Sequence, residues 1–516
     1  MNFRALLPRV LLVSLALTPS FIPATGSESQ QAPILKGVTR VLSGAEPVLV
    51  GGGPIPVPQD FVTDAQREEI RNAIDANIEH LRLTGKLALA APTVHPLFGW
   101  PLRLTTGLTD PGFHGIANFV DLDPTYPDNL LDYNCGVRSY DRADGYNHQG
   151  SDIFTTPWPW RKMDRSAVEI VAAAPGQIVY KSDGNFDRSC GFNNNNWNAV
   201  YVQHADASVA WYGHMKNGST TPKQVGELVA QGEYLGVVGS SGNSTGPHLH
   251  FEVHDAGFNL IEPWYGPCNN LNPESWWASQ HPYYDSAVNR MTTGASQVTF
   301  FSCPGAEEPN AQVSFPAPPI TVVFTTYYRD QLDTQPSQYT VRRPDGTIYS
   351  QWSHNSPVPH YAASYWFWSL GIGVGEMQGL WRFTVEFNST VYEQQFTVGS
   401  PGACGRVPER PTDGELLLVQ KIGGSVRLTF GASCNPGDTD YVVYQGTIGS
   451  YYSHTRVLCS TGGGRMPIVT PPAGSWYFLV GPRNATREGS LGQASNGVER
   501  PGGTISCFTR LALPCP

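Results

Sequence analysis

The stretch GPHLHFEVH, residues 246–254, constrains this chain more than any other. In an extended strand, side chains two apart share a face, so His248 and His250 point the same way while Leu249 turns to the other side. Two imidazoles side by side at the start of a strand are costly unless something binds them. Two further segments carry matching groups: NHQGSD supplies His148 and Asp152, and WYGHMK supplies His214. A catalytic zinc takes three protein ligands, from His nitrogen and carboxylate oxygen, and keeps a fourth position for water. His148 and Asp152 stand at an H-x-x-x-D spacing, and Gly150 and Ser151 between them make a turn tight enough to bring both side chains to one point. The third ligand is expected from the H-x-H pair, so that the segments close around one zinc ion.

The rest of the sequence says what surrounds such a centre. A length of 516 residues suggests about three domains. With 54 Gly, 43 Pro and only 15% charged residues, turn-rich β structure is favoured over long helices or disorder. A net charge of −10 with no long Lys/Arg run argues against a nucleic-acid partner. Arg4 and Arg9 precede an apolar run at 10–17, and small residues follow at 24–27, so residues 1–27 read as an export signal. That run is about half the length of a membrane span and no later segment is a candidate, so the mature chain is expected to be soluble, without a membrane span, and monomeric. Its expected location is secreted, periplasmic or cell-envelope. None of the nine cysteines forms a C-x-x-C pair, so disulfides are expected, with one thiol left over and a pairing that spacing does not reveal.

Taken in order, residues 28–93 are rich in Gly, Pro and Val (VGGGPIPVPQD) and read as a linker or pro-segment. Within it a helix is predicted over 63–84, opened by a Thr63/Gln66 capping box and stopped at Gly85. Its stripe of Ile70, Ala73, Ile74, Ile78 and Leu81 should pack against a neighbouring domain. Residues 94–285 read as a compact antiparallel β domain. A β-sandwich-like unit follows at 296–400, where Trp381, Phe383, Val385 and Phe387 alternate strictly. A last β unit at 405–516 carries the alternation Val426, Leu428, Phe430. The predicted fold class is thus mainly β, with two accessory β domains and a short N-terminal helix. Neither accessory unit holds a site-like cluster of ionisable residues, so binding or spacing is their expected role.

NHQGSD, AAAPGQIVYKSDG, WYGHMK, VGELVAQGEYLGVVG and SSGNSTGPHLHFEV together, in this order and with fitting separations, resemble the lysostaphin-type zinc endopeptidases over roughly residues 94–285. A lone H-x-H would be a weak sign, and VGELVAQGEYLGVVG alone would equally suit a biotinyl-type barrel. The resemblance implies that His148, Asp152 and His250 bind a single Zn2+, and that His214 and His248 are an unligated catalytic pair whose division of roles is open. It implies hydrolysis of peptide bonds in peptidoglycan stems or cross-bridges, or in Gly-rich peptides. The loop before His148 and the Asn-rich insert NFDRSCGFNNNNWN are expected to wall the groove, with Tyr146, Trp158, Trp160 and Trp197 stacking on substrate. A structural zinc site is the rival for the metal, but such sites take four protein ligands, often cysteines. The rival for the function is a non-catalytic wall-binding or partner-regulating protein; the intact five-residue set favours the enzyme. His254 keeps the even spacing of the pair but lies too far along the strand to join the metal.

Overall fold

In the computed structural model, which describes residues 38–87, 94–105, 110–300, 303, 305–399, 405–408, 415–435, 438–484, 487–494, 497–503 and 505–512, the strand His248–His254 lies inside a large antiparallel sheet. The order across the sheet is Leu228–Val229, Gly176–Ser182, Ala199–Gln203, Val209–Tyr212, His248–His254, Ser151–Thr155 and His114–Asn118, with Leu260–Ile261 paired to the far end of the histidine strand. The export signal expected at 1–27 lies outside the described residues.

Alternation gives this sheet two different faces. Leu249, Phe251 and Val253 join Ile153, Val200, Val202, Ala210 and Tyr212 in one buried core. A three-stranded sheet of Tyr234–Val237, Val168–Val171 and Leu102–Leu104 closes that core with Leu235, Val168, Ile170 and Leu102. The residues before and after Pro175 therefore enter different sheets, whereas Ala199–Gln203 and Val209–Tyr212 pair as a hairpin.

The opposite face carries Val179, Tyr201, Val209 and Trp211, and it is covered by the helix Asp64–Leu83 through Ile70 and Ile74. The helix begins where its capping box places it: Thr63 Oγ1 accepts from the Gln66 N–H at 3.1 Å and Gln66 Oε1 accepts from the Thr63 N–H at 3.0 Å. Its apolar stripe has no partner on its own element, so the sheet supplies one.

The segment expected as a linker is built into the second β unit instead. Val38–Gly44 is an edge strand of a six-stranded sheet, paired with Ile348–Asn355. Val48–Pro54 is an edge strand of the facing four-stranded sheet, paired with His360–Ile372. The glycines that read as linker composition are strand positions, and Gly52 lies under an aromatic ring: a Cβ there would lie 2.2 Å from Trp366 Cε3. Between the two sheets sit Tyr339, Trp352, Trp366, Trp368, Trp381 and Phe383. The strand Ala287–Gly294 pairs with Ile320–Leu332 in the four-stranded sheet, so this unit begins ahead of the boundary expected at 296. The last unit has its own core around Leu428, Phe430, Val443 and Val480, between a three-stranded and a five-stranded sheet.

Disulfides join Cys135 to Cys268, Cys190 to Cys303 and Cys459 to Cys507. The second ties the Asn-rich insert to the chain leading through the sandwich. Among the described residues no helix is long and apolar enough to cross a membrane.

Candidate functional site

Strand register does the first part of the assembly. Antiparallel pairing sets Asp152 directly opposite His250 and Phe154 opposite His248. Residues so opposed have Cβ atoms about 4.5–5.5 Å apart, and here His250 Nδ1 lies 3.1 Å from Asp152 Oδ1. His148, from the turn leading into Ser151–Thr155, brings Nε2 to 3.1 Å from the same oxygen. His148 Nδ1 donates to the Phe119 carbonyl at 2.8 Å, so in the neutral ring Nε2 is the bare nitrogen. Gly150 is required between them, because a Cβ there would come within 2.6 Å of the His250 ring.

His214 follows the strand Val209–Tyr212 with φ +59°, a left-handed turn that sends its ring back over the sheet. Its Nδ1 donates to the Ser241 carbonyl at 2.6 Å, and His248 Nδ1 donates to the Gly246 carbonyl at 2.8 Å. The two rings lie side by side with centroids 4.4 Å apart. All five residues singled out in the sequence are buried and meet in one place.

Sequence reasoning missed two further members. Asp60, fully buried, reaches in from the segment that had read as linker. Its Oδ2 is 2.8 Å from both His214 Nε2 and His250 Nδ1, its Oδ1 is 3.7 Å from His148 Nε2, and the Tyr140 hydroxyl also bonds its carboxylate. It stands 154 positions from His214, and nothing local in VPQDF marks it. Glu252 is the second: its Oε2 accepts from His250 Nε2 at 2.9 Å, its Oε1 lies 2.6 Å from His254 Nε2, and Arg67 of the helix forms an ion pair with it. Here a signal was present, since HLHFEVH puts Glu252 on the face of the two histidines.

One potential ligand atom from each of Asp60, His148, Asp152 and His250 lies within 4.8 Å of all the others, and the same holds for Asp60, His214 and His248. Burial alone would raise the carboxyls of Asp60, Asp152 and Glu252, yet all three are held well below the usual carboxylate range. For Asp60 the cause is His250 and His214, for Asp152 chiefly His148, and for Glu252 chiefly Arg67. Burial would lower His250, but Asp60, Asp152 and Glu252 hold it well above the ordinary imidazole value. His214 goes the other way: burial and the neighbouring His248 lower it despite Asp60. The centre is buried and sets three carboxylates among its imidazoles. Two buried imidazole nitrogens, His148 Nε2 and His248 Nε2, face Asp152 Oδ1 at 3.1 and 3.5 Å without a well-aligned hydrogen bond. Imidazole nitrogens and carboxylate oxygens at this spacing fit a borderline divalent cation such as zinc.

The four aromatic residues expected to stack on substrate are all buried, and of them Trp197 lines a pocket with His214. Trp158 meets Tyr327 of the second β unit edge-on at 5.4 Å, Trp160 lies under Arg188, and Tyr146 packs edge-on against Phe61 at 4.7 Å. Trp197 donates to the Tyr201 hydroxyl at 2.8 Å and sets its ring 4.9 Å from His214. Large rings in Gly- and Asn-rich inserts fill the seams between units, where most apolar area is removed from water. Of the other histidines, His204 and His454 bond backbone carbonyls, while His254, His281 and His360 pair with Glu252, Asp285 and Asp330.

Residues 147–263 match the family model described as Peptidase family M23. Over 84 residues the chain is 34% identical to the peptidoglycan DD-endopeptidase ShyC of Vibrio cholerae, an alignment covering 16% of this chain and 18% of that protein. Over 87 residues it is 38% identical to the cell division protein DipM of Caulobacter vibrioides, covering 17% and 12%. Among solved structures, the catalytic domain of the antimicrobial peptidase lysostaphin from Staphylococcus simulans aligns at 25% identity and a TM-score of 0.19, over 24% of this chain and 83% of that one. The alignments thus span less than a fifth of either curated relative.

Proposed function

The chain belongs to peptidase family M23 through residues 147–263, and on that premise we propose that it is a zinc-dependent endopeptidase of the cell envelope that hydrolyses peptide bonds in peptidoglycan stems or cross-bridges. One observation carries this reading. Three potential ligands, His148, Asp152 and His250, converge beside two imidazoles, His214 and His248, that make no bond to one another and are fixed by carbonyls on their far sides.

His148 would hold the metal through Nε2, Asp152 through a carboxylate oxygen and His250 through Nδ1. Glu252 takes the opposite N–H of His250 and sets its orientation, with Arg67 and His254 holding Glu252 in turn. A zinc ion held there supplies Lewis acidity toward a peptide carbonyl and toward water. His214 and His248 supply the proton transfers. Because Nδ1 of each donates to a carbonyl, the basic nitrogen of each neutral ring is Nε2, which lies 2.8 Å from Asp60 Oδ2 in His214 and 3.5 Å from Asp152 Oδ1 in His248. An imidazole so placed can take a proton from water, and its protonated partner can stabilise an oxyanion or protonate the departing amine. The disulfides and the expected export signal support an extracytoplasmic location, where peptidoglycan lies.

The test is digestion of isolated peptidoglycan and of Gly-rich peptides by the intact chain and by an Asp60→Ala chain, with and without chelator, the fragments being identified by mass. Chelator-sensitive release of peptide fragments from at least one form is expected. Release from neither form overturns the hydrolase reading.

A further inference from the structure

A second group of metal-type side chains lies where the peptidase sheet meets the second β unit. His114 opens the sheet's outer strand His114–Asn118, while His281 and Asp285 belong to the chain that leads on into the strand Ala287–Gly294. One potential ligand atom from each of the three lies within 4.8 Å of the other two, and the group shares no residue with the centre described above. The far end of the His114 strand reaches that centre, where Asn118 donates to Asp152 Oδ2 at 2.9 Å.

His114 is the telling member. It is 8% exposed, and neither of its ring nitrogens has a hydrogen-bond partner. A buried polar atom left unpaired is destabilising, so two on one ring point to a missing ligand. The surroundings are fixed by the second unit. Asn289 of the strand Ala287–Gly294 donates to the His114 carbonyl at 3.0 Å, and the Gly112 N–H donates to the Asn289 carbonyl at 3.1 Å. The Trp100 ring packs against both imidazoles, with centroids 5.0 Å from His114 and 4.3 Å from His281. Burial, with Arg329 and His281 nearby, pushes His114 down to about 3, so at neutral pH it is the uncharged ring a metal requires.

His281 and Asp285 complete the donor set, with His281 Nδ1 at 3.1 Å from Asp285 Oδ2. Ligand atoms about 2.0–2.1 Å from one tetrahedral zinc stand roughly 3.3 Å apart, so this spacing suits a shared ion as well as a hydrogen bond. The opposing group is Arg329 of the strand Ile320–Leu332. Its Nη2 bonds the same carboxylate oxygen at 2.9 Å, its Nε donates to the Asp285 carbonyl at 2.8 Å and its Nη1 to Asn289 Oδ1 at 3.0 Å. Such a bond orients a ligating carboxylate, but the positive charge weakens cation binding. Two imidazoles and one carboxylate suit zinc and its neighbours better than calcium or magnesium, which take oxygen ligands.

We propose that His114, His281 and Asp285 form a second divalent-metal site, for zinc or a similar borderline ion, that fastens the peptidase sheet to the second β unit. The site does not depend on the function proposed above. With one carboxylate and a guanidinium beside it, it fills after the carboxylate-rich catalytic centre and empties before it.

The experiment saturates three forms of the full chain with zinc: wild type, His114→Ala and His281→Ala. After gel filtration, zinc per chain is counted by elemental mass spectrometry, and each form is taken through chelator competition and a thermal melt. Wild type should hold two zinc ions, the weaker released at chelator concentrations at least about tenfold below those that strip the other. Each variant should hold one. The His281 side chain is 30% exposed, so its variant decides the matter should His114→Ala fail to fold. A single zinc in saturated wild type overturns the site, and so does a second zinc that persists in His281→Ala. Binding of the second ion should also raise the melting midpoint of wild type, a step absent from both variants. Two zinc ions in wild type with no such rise overturn the fastening role.

Discussion

The strand His248–His254 has two faces made by the same seven residues, and they obey different physics. Leu249, Phe251 and Val253 lie in a core where shape and apolar area decide everything, and near-isosteric apolar replacements are cheap. His248, His250, Glu252 and His254, one residue out of step, lie on the face covered by the helix and by residues 55–63, where polar atoms are met by partners from elsewhere in the chain. Both faces are equally buried. The apolar face is stable by default. The polar face persists only because Asp60, Asp152 and Arg67 arrive from elsewhere in the chain, and that dependence makes it a site.

The sharpest way to break this comparison is at the polar face. His250→Ala should lose metal and peptidoglycan cleavage together, whereas His214→Ala should keep the metal and lose roughly 10²–10⁴-fold in rate; both are read by metal analysis alongside turnover. Full occupancy in the His250 variant, or an empty site in the His214 variant, would mean that the roles are wrongly assigned. On the apolar face Phe251→Ala should cost about 3–5 kcal/mol of stability in denaturant titration, while the protein that remains folded binds metal with the same stoichiometry. A specific loss of metal there would show that the two faces are not separable.

Glu252→Gln sharpens the comparison within the polar face, because it keeps shape while removing the charge that orients His250. Zinc affinity should weaken by about 10–100-fold, measured by chelator competition, with little change in thermal stability once metal is bound. The smallest effect is on pH dependence in the metal-free protein. Asp60, Asp152 and Glu252 have depressed carboxyls, so their contribution is complete above an unfolded value near ~4 and is lost as pH falls below it. His250 is raised, so its contribution is complete below an unfolded value near ~6.5 and is lost as pH rises through its higher folded value. Denaturation midpoints should therefore peak between those two values; a midpoint that climbs steadily into acid would contradict the ion-pair account.

Much of this arrangement was legible beforehand, and for local reasons. Period-two alternation put His248 and His250 together, the Gly150–Ser151 turn joined His148 to Asp152, and Thr63 with Gln66 announced the helix. What misled was composition. VGGGP looked like linker, yet Gly52 is a strand residue whose missing side chain admits Trp366. Trp158 and Trp160 looked available to a ligand, yet each is consumed by a seam between elements, whereas Trp197 lines a pocket with His214. Composition reports what a segment is able to do alone, and in both cases a distant partner changed the outcome.

By itself the sequence determined the β class, the two-faced strand and the five residues that converge on it, because each depends on periodicity or on turns of a few residues. Only the tertiary structure decided that Asp60 and Arg67 close over that face. Their partners lie 154 and 185 positions away, at His214 and Glu252. No local pattern encodes such a meeting. It follows from where the strand Val48–Pro54 and the helix Asp64–Leu83 find apolar surface to cover, and residues 55–63 between them have to cross the site.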